Sequence, residues 1–176
     1  MTRLNTVFAA ALVAGIAAAP VAAELPVGAA APAFSTKAAL AGKEFGFSLK
    51  EALRKGPVVL YFYPKAFTQG CTLEANAFAQ SMPEFERVGA SVIGMSNDDI
   101  ETLKRFSREE CRDAFPVGVA SAQVIADYEV KLGTTGLASR TSYVIAPDGR
   151  IAAVHSDSDY RGHVRETLAA VKSLSR

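Results

Sequence analysis

The stretch V-V-L-Y-F-Y-P-K-A-F-T-Q-G-C-T-L-E, Val58 to Glu74, decides the fold of this chain. Its first six residues are aliphatic or aromatic without a polar interruption, which is typical of a strand buried on both faces. Pro64 ends that strand, and a helix is expected to begin near Gly70 or Cys71. A strand that leads through a short loop into a helix indicates an α/β architecture.

The segments after this stretch alternate between strand and helix patterns. The predicted strands are residues 91–95, 115–119, 143–146 and 151–154, and the predicted helices are residues 71–88, 100–110, 123–128 and 163–173. Pro83 is expected to start a new turn or to kink the first of these helices. Asp98 and Asp99 can cap the second, and P-D-G-R at residues 147–150 predicts a hairpin between the last two strands. This order predicts an α/β fold in which a mixed β-sheet is sandwiched by helices.

Composition and charge indicate a single globular domain. Hydrophobic residues make up 49% of the chain and charged residues 21%, which is ordinary for a protein with a packed core. Only Arg3 is charged before Glu24, so residues 24–176 carry 18 basic and 18 acidic side chains. This balance gives no reason to expect nucleic acid or an anionic membrane as a partner.

Residues 1–23 are predicted to be a signal peptide. A short polar start with Arg3 precedes an apolar run from Val7 to Ala19, and the small residues V-A-A end at Ala23, before Glu24. A retained membrane anchor is the alternative, but the apolar run is shorter than the ~20 residues of a spanning helix. We therefore expect a periplasmic or secreted protein with no membrane span after cleavage, consisting of one domain over residues 24–176.

Cys71 is one of two cysteines in 176 residues, and its setting favours reactivity. The first turn of a helix carries unpaired N–H groups and a positive dipole end, which stabilise an anion. Thiolate is the nucleophilic form of cysteine. Thr68 can offer its hydroxyl to that thiolate, Gly70 permits close approach of the backbone, and Pro64 shields one side from water. These neighbours predict attack on a small, oxygen-rich substrate.

The segment P-K-A-F-T-Q-G-C, Pro64 to Cys71, resembles the active-site pattern of peroxiredoxins, which is Pro, three residues, Thr, two residues, Cys. The following T-L-E resembles the Q-type subgroup, also called bacterioferritin comigratory proteins. V-G-A-A-A-P-A-F, S-N-D-D and R-T-S-Y-V-I-A-P-D-G-R-I resemble further segments of the family, in the same order. The resemblance implies a thioredoxin-like fold and reduction of hydrogen peroxide and organic hydroperoxides, without metal, flavin or haem.

The resemblance also implies a role for each matching residue. Cys71 would be the peroxidatic cysteine, Thr68 and Pro64 would shape its pocket, and Arg140 would be the distant arginine. Attack of the thiolate on the peroxide O–O bond leaves a sulfenic acid and releases water or an alcohol. Arg140 is always charged, so it can hold the thiolate and stabilise charge on the peroxide oxygens. The alternative for Arg140 is a surface or salt-bridged arginine. Glu74 matches the subgroup pattern, but an acidic first turn is also ordinary helix chemistry.

Two positions depart from the Q-type pattern. Gln69 replaces a proline, and Asn76 stands where many members carry a second, resolving cysteine. The other cysteine here is Cys111, 40 positions after Cys71 and near the end of the predicted helix 100–110. Some members of the subgroup place a resolving cysteine in that helix, so Cys111 is either the resolving residue or a bystander. The resemblance further implies a thioredoxin-like or other thiol reductant and a monomeric protein.

Other functions have less support in the sequence. His155 and His163 are isolated and lack ligand spacing, so with two cysteines they make no zinc set. Nothing in the sequence pairs either histidine with Cys71 as in a cysteine hydrolase. The C-x-x-C of thiol–disulfide exchange enzymes is absent. The remaining alternative is a non-catalytic thioredoxin-like binding or structural domain with a permanent Cys71–Cys111 disulfide.

Overall fold

The computed structural model of the protein describes residues 24–174, and the expected signal peptide, residues 1–23, lies outside them. Within the described part, the chain forms one sheet of seven strands and five α-helices. The strands are β1 (Ser35–Leu40), β2 (Lys43–Ser48), β3 (Val58–Phe62), β4 (Ser91–Ser96), β5 (Val117–Val119), β6 (Thr141–Ile145) and β7 (Ile151–Ser156). The helices are α1 (Leu49–Leu53), α2 (Gln69–Arg87), α3 (Ile100–Glu109), α4 (Ala122–Asp127) and α5 (His163–Leu174).

The sheet is mixed, as the sequence predicts. Its strand order is β2-β1-β5-β4-β3-β6-β7. β3, β4 and β5 run parallel to one another, and β6 and β7 continue the sheet antiparallel beyond β3. Because β6 is antiparallel to β3, Thr141 at the start of β6 lies opposite Phe62 at the end of β3. This register brings the residue before β6 to the edge where the loop to α2 begins.

β3 lies at the centre of two cores, one on each face of the sheet. All five of its residues are buried, and successive side chains of a strand point to opposite faces. Val59 and Tyr61 pack in the core that includes Phe78 of α2 and Phe106 of α3, whereas Leu60 packs in the core on the other face. Burial on both faces therefore explains the uninterrupted apolar run from Val58 to Tyr63.

The predicted elements after residue 58 are all present, with boundaries that differ by a few residues. Ala146 N donates to the carbonyl of Arg150 at 2.8 Å, which confirms the predicted hairpin. α2 runs through Pro83, so the helix does not end at this residue, and the expected kink stays a prediction. Met82 and Phe85, on either side of Pro83, are buried, and their packing offsets the backbone hydrogen bond that a proline lacks.

The β1–β2 hairpin and α1 are missing from the sequence-based description. The first four residues of β2 are exposed, so this edge strand shows no alternation of buried and exposed side chains for a pattern search to detect. Within residues 24–174, no helix has the length and the apolar character needed to span a membrane.

Candidate active site

Cys71 lies in the first turn of α2, as predicted. The helix begins at Gln69 with Thr68 as its N-cap residue, and Thr72 N donates to the carbonyl of Thr68 at 2.9 Å. Only 2% of Cys71 is exposed. The sulfur is therefore withdrawn from bulk water and lies beside the positive end of a 19-residue helix.

The loop between β3 and α2 is fixed from the neighbouring strand. Asp98 follows β4, and its Oδ2 accepts hydrogen bonds from Ala66 N and from the hydroxyl of Ser96, each at 2.8 Å. Phe67 has a φ of +62°, a conformation that is unfavourable for residues other than glycine. Its ring packs edge-on against Phe106, with 5.2 Å between the ring centroids. These contacts hold the loop in the shape that presents Cys71.

Arg140 contacts the sulfur of Cys71. It immediately precedes β6, and its Nη2 donates to Cys71 Sγ at 3.5 Å. Its Nε donates to the carbonyl of Ser158 at 3.1 Å, and only 9% of its side chain is exposed. Arg140 is therefore not a surface arginine, although it is salt-bridged, to Glu74. A Cβ atom added to Gly70 would lie 3.0 Å from Nη2, so the absence of a side chain at Gly70 makes room for this contact.

Glu74 completes the contacts of Arg140. It lies one turn after Cys71, is fully buried, and accepts a hydrogen bond on Oε2 from Arg140 Nη1. Its other oxygen, Oε1, has no hydrogen-bond partner among residues 24–174. Burial raises the pKa of Glu74 to about 8, although the charge and hydrogen bond of Arg140 oppose this rise. Glu74 thus belongs to the site and is more than an acidic residue near the start of a helix.

His163, which the sequence analysis treated as isolated, lies behind Glu74. It is fully buried. Its Nε2 lies 3.0 Å from the carbonyl oxygen of Asp157. Its Nδ1 lies 2.8 Å from the hydroxyl of Ser142 and 3.7 Å from Glu74 Oε1. Because a carbonyl only accepts hydrogen bonds, Nε2 carries the proton and Nδ1 accepts from Ser142. Burial lowers the pKa of His163 to about 4, so the ring is neutral at pH 7.

The two histidines are also in contact, because the rings of His155 and His163 meet edge to face with 4.6 Å between centroids. One signal for the burial of His163 was present in the sequence. His163, Thr167 and Val171 are spaced by four residues along the last helix, and all three are buried. This spacing places His163 on the apolar face of α5.

Thr68 and Pro64 are placed beside the site, with one difference from the expectation. Thr68 is exposed, and its hydroxyl donates to the carbonyl of Lys65 at 2.9 Å. This hydrogen bond lies within the loop, so the hydroxyl does not donate to Cys71. Pro64 is half-buried directly after β3. The roles of Thr68 and Pro64 toward a substrate stay predictions.

Cys111 follows the end of α3 and is fully buried. Burial raises the pKa of its thiol well above the ordinary value, and the neighbouring charges of Glu110 and Asp113 raise it further. Both cysteines lie in the described part of the chain and both are free thiols. They belong to the same core, but the permanent disulfide of the alternative hypothesis is not present.

The fold and the site, a thiol in the first turn of a helix contacted by the arginine that precedes β6, are those of a thiol-dependent peroxidase. The chain belongs to the AhpC/TSA family, whose model matches residues 27–154. A putative peroxiredoxin of Mycobacterium tuberculosis is 34% identical over 130 residues, which cover 72% of this chain and 84% of that protein. The chloroplastic peroxiredoxin Q of Suaeda salsa is 33% identical over 159 residues, which cover 89% of this chain and 72% of that protein.

A solved structure is similar over most of its length. Peroxidoxin BcpB of Mycobacterium tuberculosis matches with a TM-score of 0.76 and 33% identity, covering 84% of this chain and 97% of that chain. The peroxiredoxin resemblance, the thioredoxin-like fold and the enzyme class, a thiol-dependent peroxidase, are thereby confirmed.

Proposed function

We propose that Cys71 is the attacking sulfur of this peroxidase and that its substrates are hydrogen peroxide and organic hydroperoxides. The observation that carries the proposal is the 3.5 Å contact between Arg140 Nη2 and Cys71 Sγ. This contact sets a guanidinium and the positive end of a helix dipole against the sulfur, and these are the groups that activate a cysteine nucleophile.

In the proposed reaction, the thiolate of Cys71 attacks one oxygen of the peroxide and the O–O bond breaks. The sulfur gains that oxygen and becomes a sulfenic acid, while the second oxygen leaves as hydroxide or alkoxide and takes up, through solvent, the proton that the thiol released on ionising, which gives water or an alcohol. Arg140 stabilises the negative charge that spreads over the two oxygens as the bond lengthens. Because Nε and Nη1 of Arg140 are held by Ser158 and Glu74, the guanidinium is positioned before the substrate arrives.

The substrate range is tested by competition. Pre-reduced protein and a second peroxidase of known rate share a limiting amount of hydrogen peroxide, and then of tert-butyl hydroperoxide. Consumption of both peroxides by this protein is the expected result. If neither peroxide is consumed while the thiols are reduced and the fold is intact, the proposal is wrong.

We further propose that Cys111 is the resolving cysteine. Asn76 Nδ2, on α2, donates to Glu110 Oε2 at 3.1 Å, and this bond ties the helix of Cys71 to the residue beside Cys111. A disulfide needs the two Cα atoms within ~7 Å, and a cysteine inside a helical turn reaches a partner on another element only after local unwinding. The cycle therefore includes rearrangement of the first turn of α2 and of the end of α3.

Two features support such a rearrangement at Cys111. Arg112 and Asp113 have φ values of +53° and +58°, and a left-handed conformation costs about 1–2 kcal/mol for a residue such as arginine and less for aspartate. Release of this segment would recover that energy. Exposure would also lower the raised pKa of the Cys111 thiol, because burial is its largest cause. Opening and activation of the thiol would then be the same event.

The disulfide is tested by mass spectrometry after one equivalent of peroxide has been added to reduced protein and free thiols have been alkylated. A peptide pair linked through Cys71 and Cys111 is expected. Persistent sulfenic acid at Cys71 with alkylated Cys111 would contradict the resolving role and would indicate a thiol from another molecule. The same experiment with Cys111→Ser is the matched control, since that variant can form the sulfenic acid but not the intramolecular bond.

The compartment, reductant and oligomeric state complete the proposal. The family match begins at residue 27, just after the predicted new N-terminus at Glu24, which supports a leader that is not part of the domain. We propose a periplasmic or secreted protein, recycled by a thioredoxin-like thiol and monomeric in solution. N-terminal sequencing of exported protein should begin within a residue or two of Glu24, and sedimentation should give a single-chain mass. An exported form that retains Met1 would refute cleavage.

A further inference from the structure

The charges around Cys71 do not balance if every acid is ionised. Cys71, Glu74 and Arg140 form one contact group, and His163 beside them is neutral. A thiolate and a carboxylate would then share a single guanidinium. An unbalanced charge in a buried site is unfavourable, and a buried acid usually takes up a proton instead. One of the two acids is therefore expected to be protonated.

The hydrogen bonds indicate which acid holds the proton. Oε1 of Glu74 is buried and has no partner among the described residues, and a carboxylate oxygen without a donor is poorly stabilised. Protonation would turn this oxygen into a donor. Nδ1 of His163, an acceptor, lies 3.7 Å away, and a small rotation of the carboxyl group brings it into hydrogen-bonding range. The Ser142 hydroxyl now donates to Nδ1, but it can rotate so that Nδ1 accepts from Glu74 as well or instead.

We propose that Glu74 is a carboxylic acid in the reduced enzyme, with its proton on Oε1 directed at Nδ1 of His163, and that this neutral pair leaves the charge of Arg140 to Cys71. His163 is then a positioning residue, which acts on the sulfur through Glu74 and Arg140. The inference rests on the proposed roles of Cys71 and Arg140, but the protonation state of Glu74 can be measured without turnover.

Two further observations agree with this arrangement. Burial raises the pKa of Glu74 to about 8 and lowers that of His163 to about 4, so each group is neutral at pH 7. The titratable groups around the pair are Cys71 on α2, Tyr61 on β3, Arg140 before β6, His155 on β7 and Asp157 before α5.

Infrared difference spectroscopy of reduced wild-type protein against Glu74→Gln tests the protonation directly. The expected wild-type spectrum at pH 7 contains the C=O band of a buried carboxylic acid, absent in the variant, which gives way to a carboxylate band as the pH rises past 8. A carboxylate band already present at pH 7 would overturn the proposal, whatever the peroxidase activity. Unchanged activity in Cys71→Ser or Arg140→Ala would refute the proposed function and would leave this spectrum as it is, so the two proposals fail separately.

The pH profile of Cys71 alkylation by iodoacetamide, measured in a Cys111→Ser background, tests the consequence for the sulfur. In Glu74→Gln the neutral amide replaces the neutral acid, and its NH₂ group can donate to Nδ1 of His163. The midpoint of the profile should therefore stay at the wild-type value. If Glu74 is ionised, removing its charge should instead lower the midpoint by about 1 pH unit or more. A lowered midpoint would contradict the proposal.

Variants of His163 test the positioning role. His163→Leu removes the acceptor that stabilises the protonated acid while the site stays buried, so a larger share of Glu74 should ionise at a given pH and the alkylation midpoint should rise. His163→Asn keeps a polar atom near the place of Nδ1, so its alkylation midpoint should lie close to the wild-type value. His155→Asn is the matched control, and its profile should be unchanged. In the Glu74→Gln background, His163→Leu should have no further effect. A shift that persists in that background, in protein with a normal circular dichroism spectrum, would mean that His163 acts independently of Glu74 and would overturn its assigned role.

Discussion

Gly70→Ala should separate the chemistry of the site from the stability of the fold. A Cβ atom at this position would lie 3.0 Å from Arg140 Nη2, whereas ordinary contacts begin near 3.4 Å. Nη2 must therefore withdraw by a few tenths of an ångström. Arg140 has little freedom to do so, because Nη1 is held by Glu74 and Nε by the carbonyl of Ser158. The displacement therefore falls on the contact with Cys71 Sγ.

Gly70→Ala should reduce the reaction rate but change the stability of the fold very little. A misplacement of 1 Å can reduce a rate by about 100-fold, so a few tenths of an ångström should reduce the rate constant with peroxide by roughly 3- to 10-fold. The free energy of unfolding should change by no more than about 1 kcal/mol, since alanine is the better helix former. The chain has no tryptophan, so the rate is best measured by competition with a second peroxidase, and stability by urea denaturation followed by circular dichroism.

Two controls make this prediction specific. In an Arg140→Ala background, Gly70→Ala should cause no further loss of rate, because the obstructed side chain is gone. Gly46→Ala should leave the rate unchanged, since a Cβ atom there would meet nothing within 4 Å. The reasoning is refuted if Gly70→Ala reacts at the wild-type rate, or if its loss of rate is the same with and without Arg140.

Arg140→Ala should lower the rate constant with peroxide by about 100- to 1000-fold, the usual effect of removing a donor that stabilises developing charge. Arg140→Lys should recover only part of that loss, because one ammonium group cannot reproduce contacts with Glu74, Cys71 and Ser158 together; full recovery would show that charge alone matters. The dependence of stability on pH follows from Glu74 and His163. Above pH 4.5 unfolded Glu74 loses the proton that folded Glu74 keeps, which lowers the free energy of unfolding as the pH rises. Below pH 6.5 unfolded His163 binds a proton that folded His163 lacks, which has the opposite effect, so the two changes cancel between pH 4.5 and 6.5. From pH 6.5 to 8 the raised pKa of Glu74 lowers the free energy of unfolding by about 1.4 kcal/mol per pH unit, so the slope of wild-type protein should be more negative by that amount than the slope of Glu74→Gln, in which Cys71 titrates alike. Urea titrations at half-unit intervals measure both slopes, and an equal slope in Glu74→Gln would assign it to another group.

The parts of the fold that the sequence predicted are those with a strong local signal. β3 is an unbroken run of apolar residues because both of its faces are covered, and the β6–β7 hairpin contains an Asp-Gly turn. The β1–β2 hairpin lacked such a signal, because β2 is an exposed edge strand whose stability comes from pairing with β1. Pro83 is accommodated within α2, because buried neighbours on both sides outweigh the local helix-breaking preference of proline.

The site was predictable only in part. The setting of Cys71 follows from the strand, loop and helix around it, which are contiguous in sequence. Arg140 lies 69 positions from Cys71, and its place came from a family resemblance, because no local pattern encodes the antiparallel pairing of β3 with β6. The contact between Glu74 and His163 was missed altogether, since it depends on how α5 packs against α2. A buried polar network of this kind is determined by tertiary contacts that single-sequence patterns do not contain.

The central claim is that the sulfur of Cys71 attacks the peroxide, and a single-turnover experiment tests it most directly. Reduced Cys111→Ser and reduced Cys71→Ser each receive one equivalent of hydrogen peroxide in the presence of dimedone, which traps sulfenic acids, and each is digested and mapped by mass spectrometry. Cys111→Ser is predicted to consume the peroxide and to carry one dimedone adduct on Cys71, whereas Cys71→Ser, with its fold intact, should consume none. Wild-type consumption by Cys71→Ser, or an adduct on Cys111 in that variant, would contradict the account.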